Sequence, residues 1–188
     1  MKISQKLMKL CLIPMKFMAK ITDNTCPEYR VLLNRAARKH KENRQYFKKL
    51  KKQKSGLVDP LMRRLHDEVF EKIDCLLCSN CCRGTGPLIR ERDISRLSKN
   101  LKIKPGKFTE TYLRTDEEGD YVFSSMPCPF ILNDNCCMVY SDRPGACRDY
   151  PHTDCISFKK YSSQMLENTR ICPAVFLVFE KMKEELPL

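Results

Sequence analysis

The stretch CLLCSNCC places Cys75, Cys78, Cys81 and Cys82 within eight positions, a density of thiols that points to metal. Two cysteines three positions apart, in a tight turn or at a helix end, can aim both sulfurs at one ion about 2.3 Å away. A disulfide needs Cα atoms roughly 4.4 to 6.8 Å apart and a fixed dihedral, which suits residues brought together from distant segments. A redox C-x-x-C pair sits singly after a strand, whereas this block overlaps several thiol pairs. It reads as a metal nest.

Compartment follows from the N-terminal residues. Twelve of the 188 residues are cysteine, close to the level of a secreted disulfide scaffold. In MKISQKLMKLCLIPMKFMAK, however, Lys6, Lys9 and Lys16 interrupt every apolar run before it reaches the length of a signal-peptide core, and no small-residue cleavage site follows. No stretch approaches the unbroken apolar run of a membrane span. A cytoplasmic chain with reduced thiols is expected. Residues 1–21 form a basic amphipathic segment broken at Pro14; they are read as a loosely packed terminus, with Met15 or Met18 as alternative starts, in preference to a segment lying on an anionic membrane surface.

The net charge of +12 is unevenly distributed. Residues 1–54 carry 16 Lys and Arg against 3 Asp and Glu, and residues 55–188 carry 19 against 20. By length and charge the chain is expected to be a basic helical extension, 1–54, followed by a cysteine-bearing metal-binding domain, 55–188.

From Glu28 to Lys52 the sequence has no Pro or Gly and is rich in helix formers, so one long helix is expected. Tyr29, Leu32, Leu33, Ala36, Ala37 and His40, then Tyr46, Phe47 and Leu50, mark its packed face. The opposite face is Lys and Arg and offers itself to an anionic partner or nucleic acid, although no nucleic-acid motif accompanies it. Asp59-Pro60 then reads as an N-cap with proline at the first helical position. The helix it opens, Pro60 to Asp74, carries Leu61, Leu65, Val69, Phe70 and Ile73 inward and delivers Cys75. His66, on this helix, is read as a surface or packing residue rather than a ligand. Gly84 and Gly86 in RGTGPLI turn the chain and can let amides approach the sulfurs. RERDISRLSKNL and KPGKFTETYLRT follow as short helices, DEEGD as a polar turn and YVFSS as the best strand. The fold class expected is mainly α, a small irregular domain organised by metal, with short strands.

The second cysteine region, PCPFILNDNCCMVYSDRPGACRDYPHTDC, holds Cys128, Cys136, Cys137, Cys147 and Cys155, and Cys172 stands before Pro173. Together, CLLCSNCC and CPFILNDNCCMVYSDRPGACRDYP resemble the YkgJ-type cysteine-cluster family, whose CxxCxxCC domain is described as zinc- or iron-chelating. The likeness covers roughly residues 70–180. It implies metal ligation by Cys75, Cys78, Cys81 and Cys82, by Cys128 in C-P-F, by Cys137 (two before Val139-Tyr140), by Cys147 in C-R-x-Y-P, and by Cys172. Cys11, Cys26, Cys136 and Cys155 have no counterpart in the pattern and are read as spare.

Eight thiols make two sets of four, the number that closes a tetrahedral zinc or anchors an iron-sulfur cluster such as [4Fe–4S]. One cluster with supporting thiols is the alternative. Adjacent Cys81 and Cys82 point different ways, so one can serve each site or one can be structural. His152 offers a Cys₃His variant. The run C-x2-C-x2-C is similar to the bacterial ferredoxin run but is followed at once by a fourth cysteine, which leaves zinc and iron-sulfur both open.

Three functions compete. The first is a metal-binding protein with a redox or electron-transfer role. The second is an enzyme or accessory of protein modification, since flagellin lysine methylases resemble this family in their cysteine domain. The third is a nucleic-acid-binding module using the basic helix. No catalytic residue is identifiable by spacing; Tyr140, Arg143, Arg148 and Asp149 lie beside the thiols and more often support ligands through hydrogen bonds. On this reading, Cys78→Ser or Cys147→Ser loses metal and solubility, and Cys11→Ser or Cys26→Ser keeps both; metal content of each purified variant checks the assignment.

Overall fold

The computed structural model describes residues 26–155 and 157–188. Expectations for residues 1–21 and Cys11 lie outside the described residues. Among the described residues the chain forms nine helices and one two-stranded sheet, the mainly helical class expected. It divides into two compact units: a helical unit of residues 26–80 and 150–188, and, between these stretches in the chain, an inserted unit of residues 81–149.

In the helical unit, α1 (Pro27–Arg38), α2 (His40–Leu50) and α3 (Ser55–Phe70) precede the insertion, and α8 (Phe158–Ile171) and α9 (Pro173–Glu185) follow it. The centre is α9, which buries Ala174, Val175, Phe176, Val178, Phe179 and Met182; its first two turns, residues 173–179, are apolar all round and must be enclosed by other helices. Around it pack Tyr46, Phe47, Leu50, Val58, Met62, Leu65, Val69, Phe158 and Met165. The rings of Phe47 and Phe179 meet at 4.3 Å between centroids, tilted by 45°. The Tyr46 hydroxyl lies 2.8 and 2.9 Å from the carbonyls of Met182 and Leu186 and shares its one proton between them, tying α2 to the C-terminal end of α9. Tyr46, Phe47 and Leu50 of α2 thus share one core with residues on both sides of the insertion.

Two helices replace the long helix expected over 28–52. Lys39 adopts φ −86° and ψ 3°, yet its N–H still donates to the Arg35 carbonyl at 3.0 Å and its carbonyl accepts from Asn43 at 2.8 Å. The break is therefore a local kink. Lys39 Nζ bonds Glu180 of α9 at 2.5 Å, so part of the basic face is neutralised within the unit. Arg30, Arg38, Lys41, Arg44 and Lys48 are exposed.

The Asp59-Pro60 signature also has a different outcome. Helix α3 begins at Ser55, and Pro60 lies within it, near enough to the start that its missing N–H falls close to the unpaired first turn. Buried Asp59 accepts the Phe158 N–H at 2.9 Å and so satisfies the first amide of α8. Helix α3 ends at Phe70; Asp74 then accepts the Leu76 N–H at 2.8 Å and starts a 3₁₀ turn, Cys75–Leu77.

The inserted unit opens with the short α4 (Asn80–Gly84, its first residue belonging to the helical unit), followed by α5 (Glu91–Asn100) and α6 (Pro105–Tyr112). An antiparallel hairpin of β1 (Leu113–Thr115) and β2 (Tyr121–Phe123) comes next, pairing Leu113 with Phe123 and Thr115 with Tyr121. The residues Leu113–Thr115, expected at the end of a helix, form β1. Its turn is set by Asp116, whose carboxylate accepts the N–H groups of Glu118 and Asp120, and by Gly119 at φ +86°, a conformation glycine adopts without steric cost. Ile89, Ile94, Leu97, Phe108, Leu113, Phe123, Phe130 and Val139 form the core, with Cys128 and Cys137 packed against it. The unit closes with α7 (Gly145–Asp149).

Replacing Asp59 by alanine should cost about 1–2 kcal/mol in urea unfolding, the usual loss for a buried cap. Asp67→Ala, at an exposed position of the same helix, should stay within about 0.5 kcal/mol. Equal effects would contradict the role assigned to Asp59.

Candidate metal centre

Each unit carries its own group of thiols, because CLLCSNCC spans the division between Asn80 and Cys81. Cys81 and Cys82 lie on α4 with their sulfurs 3.9 Å apart. The Cys82 carbonyl accepts the Cys128 N–H at 2.8 Å, which anchors the second cysteine region beside the first. After Cys128 the chain turns, and a tight loop through Asn135, at φ +65°, brings Ile131 opposite Cys137. Arg83 donates to the Asn135 side chain at 2.6 Å. Cys136 is buried, whereas Cys137 is partly buried against the core of the inserted unit.

Cys147 is positioned from a distance by a carboxylate. Asp93 on α5, fully buried, accepts from the Gly145 N–H at 3.1 Å, the Arg90 N–H at 3.1 Å and Arg96 at 2.7 Å. Arg96 also donates to the carbonyls of Asp142 and Arg143. Two charged side chains thus fix the turn from Tyr140 to Gly145 and the start of α7. Burial pushes the Asp93 pKa up, but these hydrogen bonds and Arg96 outweigh it and hold it below the usual range.

Cys147 lies within electrostatic reach of the sulfurs of Cys82, Cys128 and Cys137. Burial, followed by these three neighbours, pushes its thiol up to about 12. Cys128 is pushed up to about 11, chiefly by burial, with the Phe130 and Ile131 amides acting against it; the Ile131 N–H itself bonds the Cys128 carbonyl at 3.1 Å. Cys82 goes the other way, to about 7: the hydrogen bond from Cys81 lowers it most, and the charges of Arg143 and Arg83 add to that against its burial. The Arg143 guanidinium lies 3.7 Å over the Tyr140 ring and donates to the Tyr140 carbonyl.

In the helical unit Cys75 and Cys78 bracket the 3₁₀ turn, closed by the Cys78 and Ser79 N–H groups on the Cys75 carbonyl at 3.1 and 2.8 Å. Asn80 donates to the Ile171 carbonyl at 2.7 Å, holding this loop beside Cys172 at the start of α9. Cys172 is within electrostatic reach of Cys75 and Cys78; burial pushes its thiol up to about 12, and its sulfur accepts the N–H groups of Ala174 and Val175. Cys128-Pro129 and Cys172-Pro173 are therefore the same local device, with a proline-fixed turn directing the following two amides at the sulfur. Such N–H groups ease the negative charge of a thiolate.

Cys155 stands apart, its thiol donating to the Ser157 carbonyl at 3.4 Å. His66 is buried, with Nδ1 2.7 Å from Thr153 Oγ1 and its ring stacked on Phe70, the packing role of the two expected. His152 stacks on Tyr161 at 4.7 Å. The space beside Gly84 is open and a side chain at Gly86 would meet only Val122, at 3.9 Å, so neither glycine serves a close approach to sulfur. Sequence reasoning missed Asp93, Arg96, Asp74 and Asn80, because their roles depend on long-range partners. It also missed the place of Cys26, whose N–H donates to the Leu77 carbonyl at 2.9 Å.

Among the described residues, no three Cys, His, Asp or Glu side chains stand in ligating geometry. The donor set nonetheless fits a soft metal, since clustered thiols suit zinc and iron-sulfur clusters and not hard oxygen-seeking cations. Fold and donors define a thiol-rich, helical metal-chelating protein. The chain belongs to the CxxCxxCC family, described as "Putative zinc- or iron-chelating domain", whose model matches residues 74–173. Comparison with curated proteins and with solved structures gives no match. No helix among the described residues is long and apolar enough to cross a membrane.

Asp93→Asn should destabilise the protein by about 2 kcal/mol at neutral pH, the scale of a buried charged acceptor. Because the folded pKa is depressed, that contribution is full above the unfolded value near 4 and is lost as pH falls through the folded value. The gap between wild type and variant in urea unfolding should close in acid; a gap independent of pH would contradict the account.

Proposed function

We propose that the protein binds metal through two thiolate centres, one in each unit, and that iron-sulfur clusters with a redox or electron-transfer role occupy them. In the inserted unit the ligands are Cys82, Cys128, Cys137 and Cys147, with Cys81 supporting Cys82 as its hydrogen-bond partner. In the helical unit Cys75, Cys78 and Cys172 supply three ligands. The observation that carries this reading is the mutual reach of four thiols around Cys147. As thiols they hold protons that only a cation can displace together, and as thiolates without metal they repel. Four thiolates anchor a [4Fe–4S] cluster or close a zinc site. The backbone N–H groups on Cys128 and Cys172 are of the kind that sets cluster potential, which supports the iron-sulfur assignment.

Protein purified without oxygen should contain iron and acid-labile sulfide in similar amounts and absorb broadly in the visible. Zinc alone, in a colourless protein, would replace clusters by structural sites; neither metal at a significant level would refute both. Cys147→Ser should reduce metal per chain to about half, while Cys155→Ser should leave it unchanged. Zinc reloading of apoprotein at neutral pH should release several protons, because Cys128 and Cys147 hold theirs far above that pH.

A further inference from the structure

Cys26 lies outside the family match and has no counterpart in the family pattern, yet it stands with the thiols of the helical unit. Its N–H donates to the Leu77 carbonyl at 2.9 Å, so the start of α1 is tied to the middle of the loop from Cys75 to Cys78. The Tyr29 hydroxyl accepts the Asp74 N–H at 3.0 Å, and the sulfurs of Cys26 and Cys78 both lie within electrostatic reach of that hydroxyl. Two thiols more than fifty positions apart in sequence therefore flank one group.

The local design of Cys26 repeats that of Cys172. Each occupies the N-cap position of a helix whose first residue is proline, Pro27 in α1 and Pro173 in α9, and neither side chain caps its helix. Each cysteine thus stands at the positive end of a long helix, where a thiolate is favoured, and is not consumed by capping. A C-x2-C turn with one further thiol gives three donors and leaves a tetrahedral soft metal one position short.

We propose that Cys26 supplies the fourth thiolate to the centre of Cys75, Cys78 and Cys172, making α1 part of that centre. This rests on the metal reading of those three thiols and reverses the sequence expectation that Cys26 is dispensable. The ligand set of the helical unit then comes from three places in the chain: the residue before α1, the turn after α3 and the junction of α8 with α9. Each unit holds four thiolates.

The test is iodoacetamide labelling of the metal-loaded full chain, quantified for each cysteine by mass spectrometry before and after a chelator removes the metal. Cys155, similarly half-buried, is the internal reference. Cys26 should be labelled more than about tenfold more slowly than Cys155 while metal is bound and should become reactive together with Cys75, Cys78 and Cys172. Labelling of Cys26 at the Cys155 rate, with the other three protected, would overturn the inference alone. Labelling of all four without regard to metal would overturn the metal reading of the helical unit and the inference with it. Cys26→Ser should lose the metal of the helical unit and keep that of the inserted unit; full metal content in this variant would overturn the inference. The labelling needs no variant, so the test stands even where the substituted chain fails to fold.

Discussion

Several thiols buried within reach of one another cannot all ionise unless a cation joins them, and most of the structure around them follows from that constraint. In the inserted unit, burial and mutual repulsion hold Cys128 and Cys147 protonated, while the arginine charges beside Cys82 and its hydrogen bond from Cys81 lower that one thiol to about 7. Cys82 would then be the first to meet a soft metal, whose charge would displace the protons held by the others. The amides directed at Cys128 and Cys172 lower the cost of the charge that results.

The scaffold serves this end in two different ways. The helical unit has a substantial apolar core around α9, and its thiols sit at helix ends and in the turn after α3, where packed helices fix them. The inserted unit has a smaller core and short elements, and it positions Cys147 with the buried pair Asp93 and Arg96 rather than with apolar packing alone. A buried carboxylate with three donors is stabilising where an unpaired one would be costly. Metal binding should consequently contribute more to folding in the inserted unit.

Much of this was legible in the sequence where the signal is local. The helix with Ile94 and Leu97 inward and the turn and strand of DEEGDYVFSS appear as expected. What escaped is non-local. Asp59-Pro60 has the form of a helix start, but the carboxylate caps α8, a hundred residues on, and α3 begins at Ser55. Lys39 carries no breaker signal, and the kink there concerns one residue's backbone while the hydrogen bonds continue. The basic stretch looked like a surface extension because its ion-pair partners, such as Glu180, lie more than a hundred positions away. Spacing alone also does not reveal that the Cys26 backbone is bonded to Leu77.

The central claim, that soft metal is held wholly by cysteine, is tested most directly by X-ray absorption at the edge of the bound metal in the full chain. The account predicts a first shell of four sulfurs per metal at about 2.3 Å, with iron neighbours beyond it if the centres are iron-sulfur clusters. A first shell containing nitrogen or oxygen in place of sulfur would contradict it.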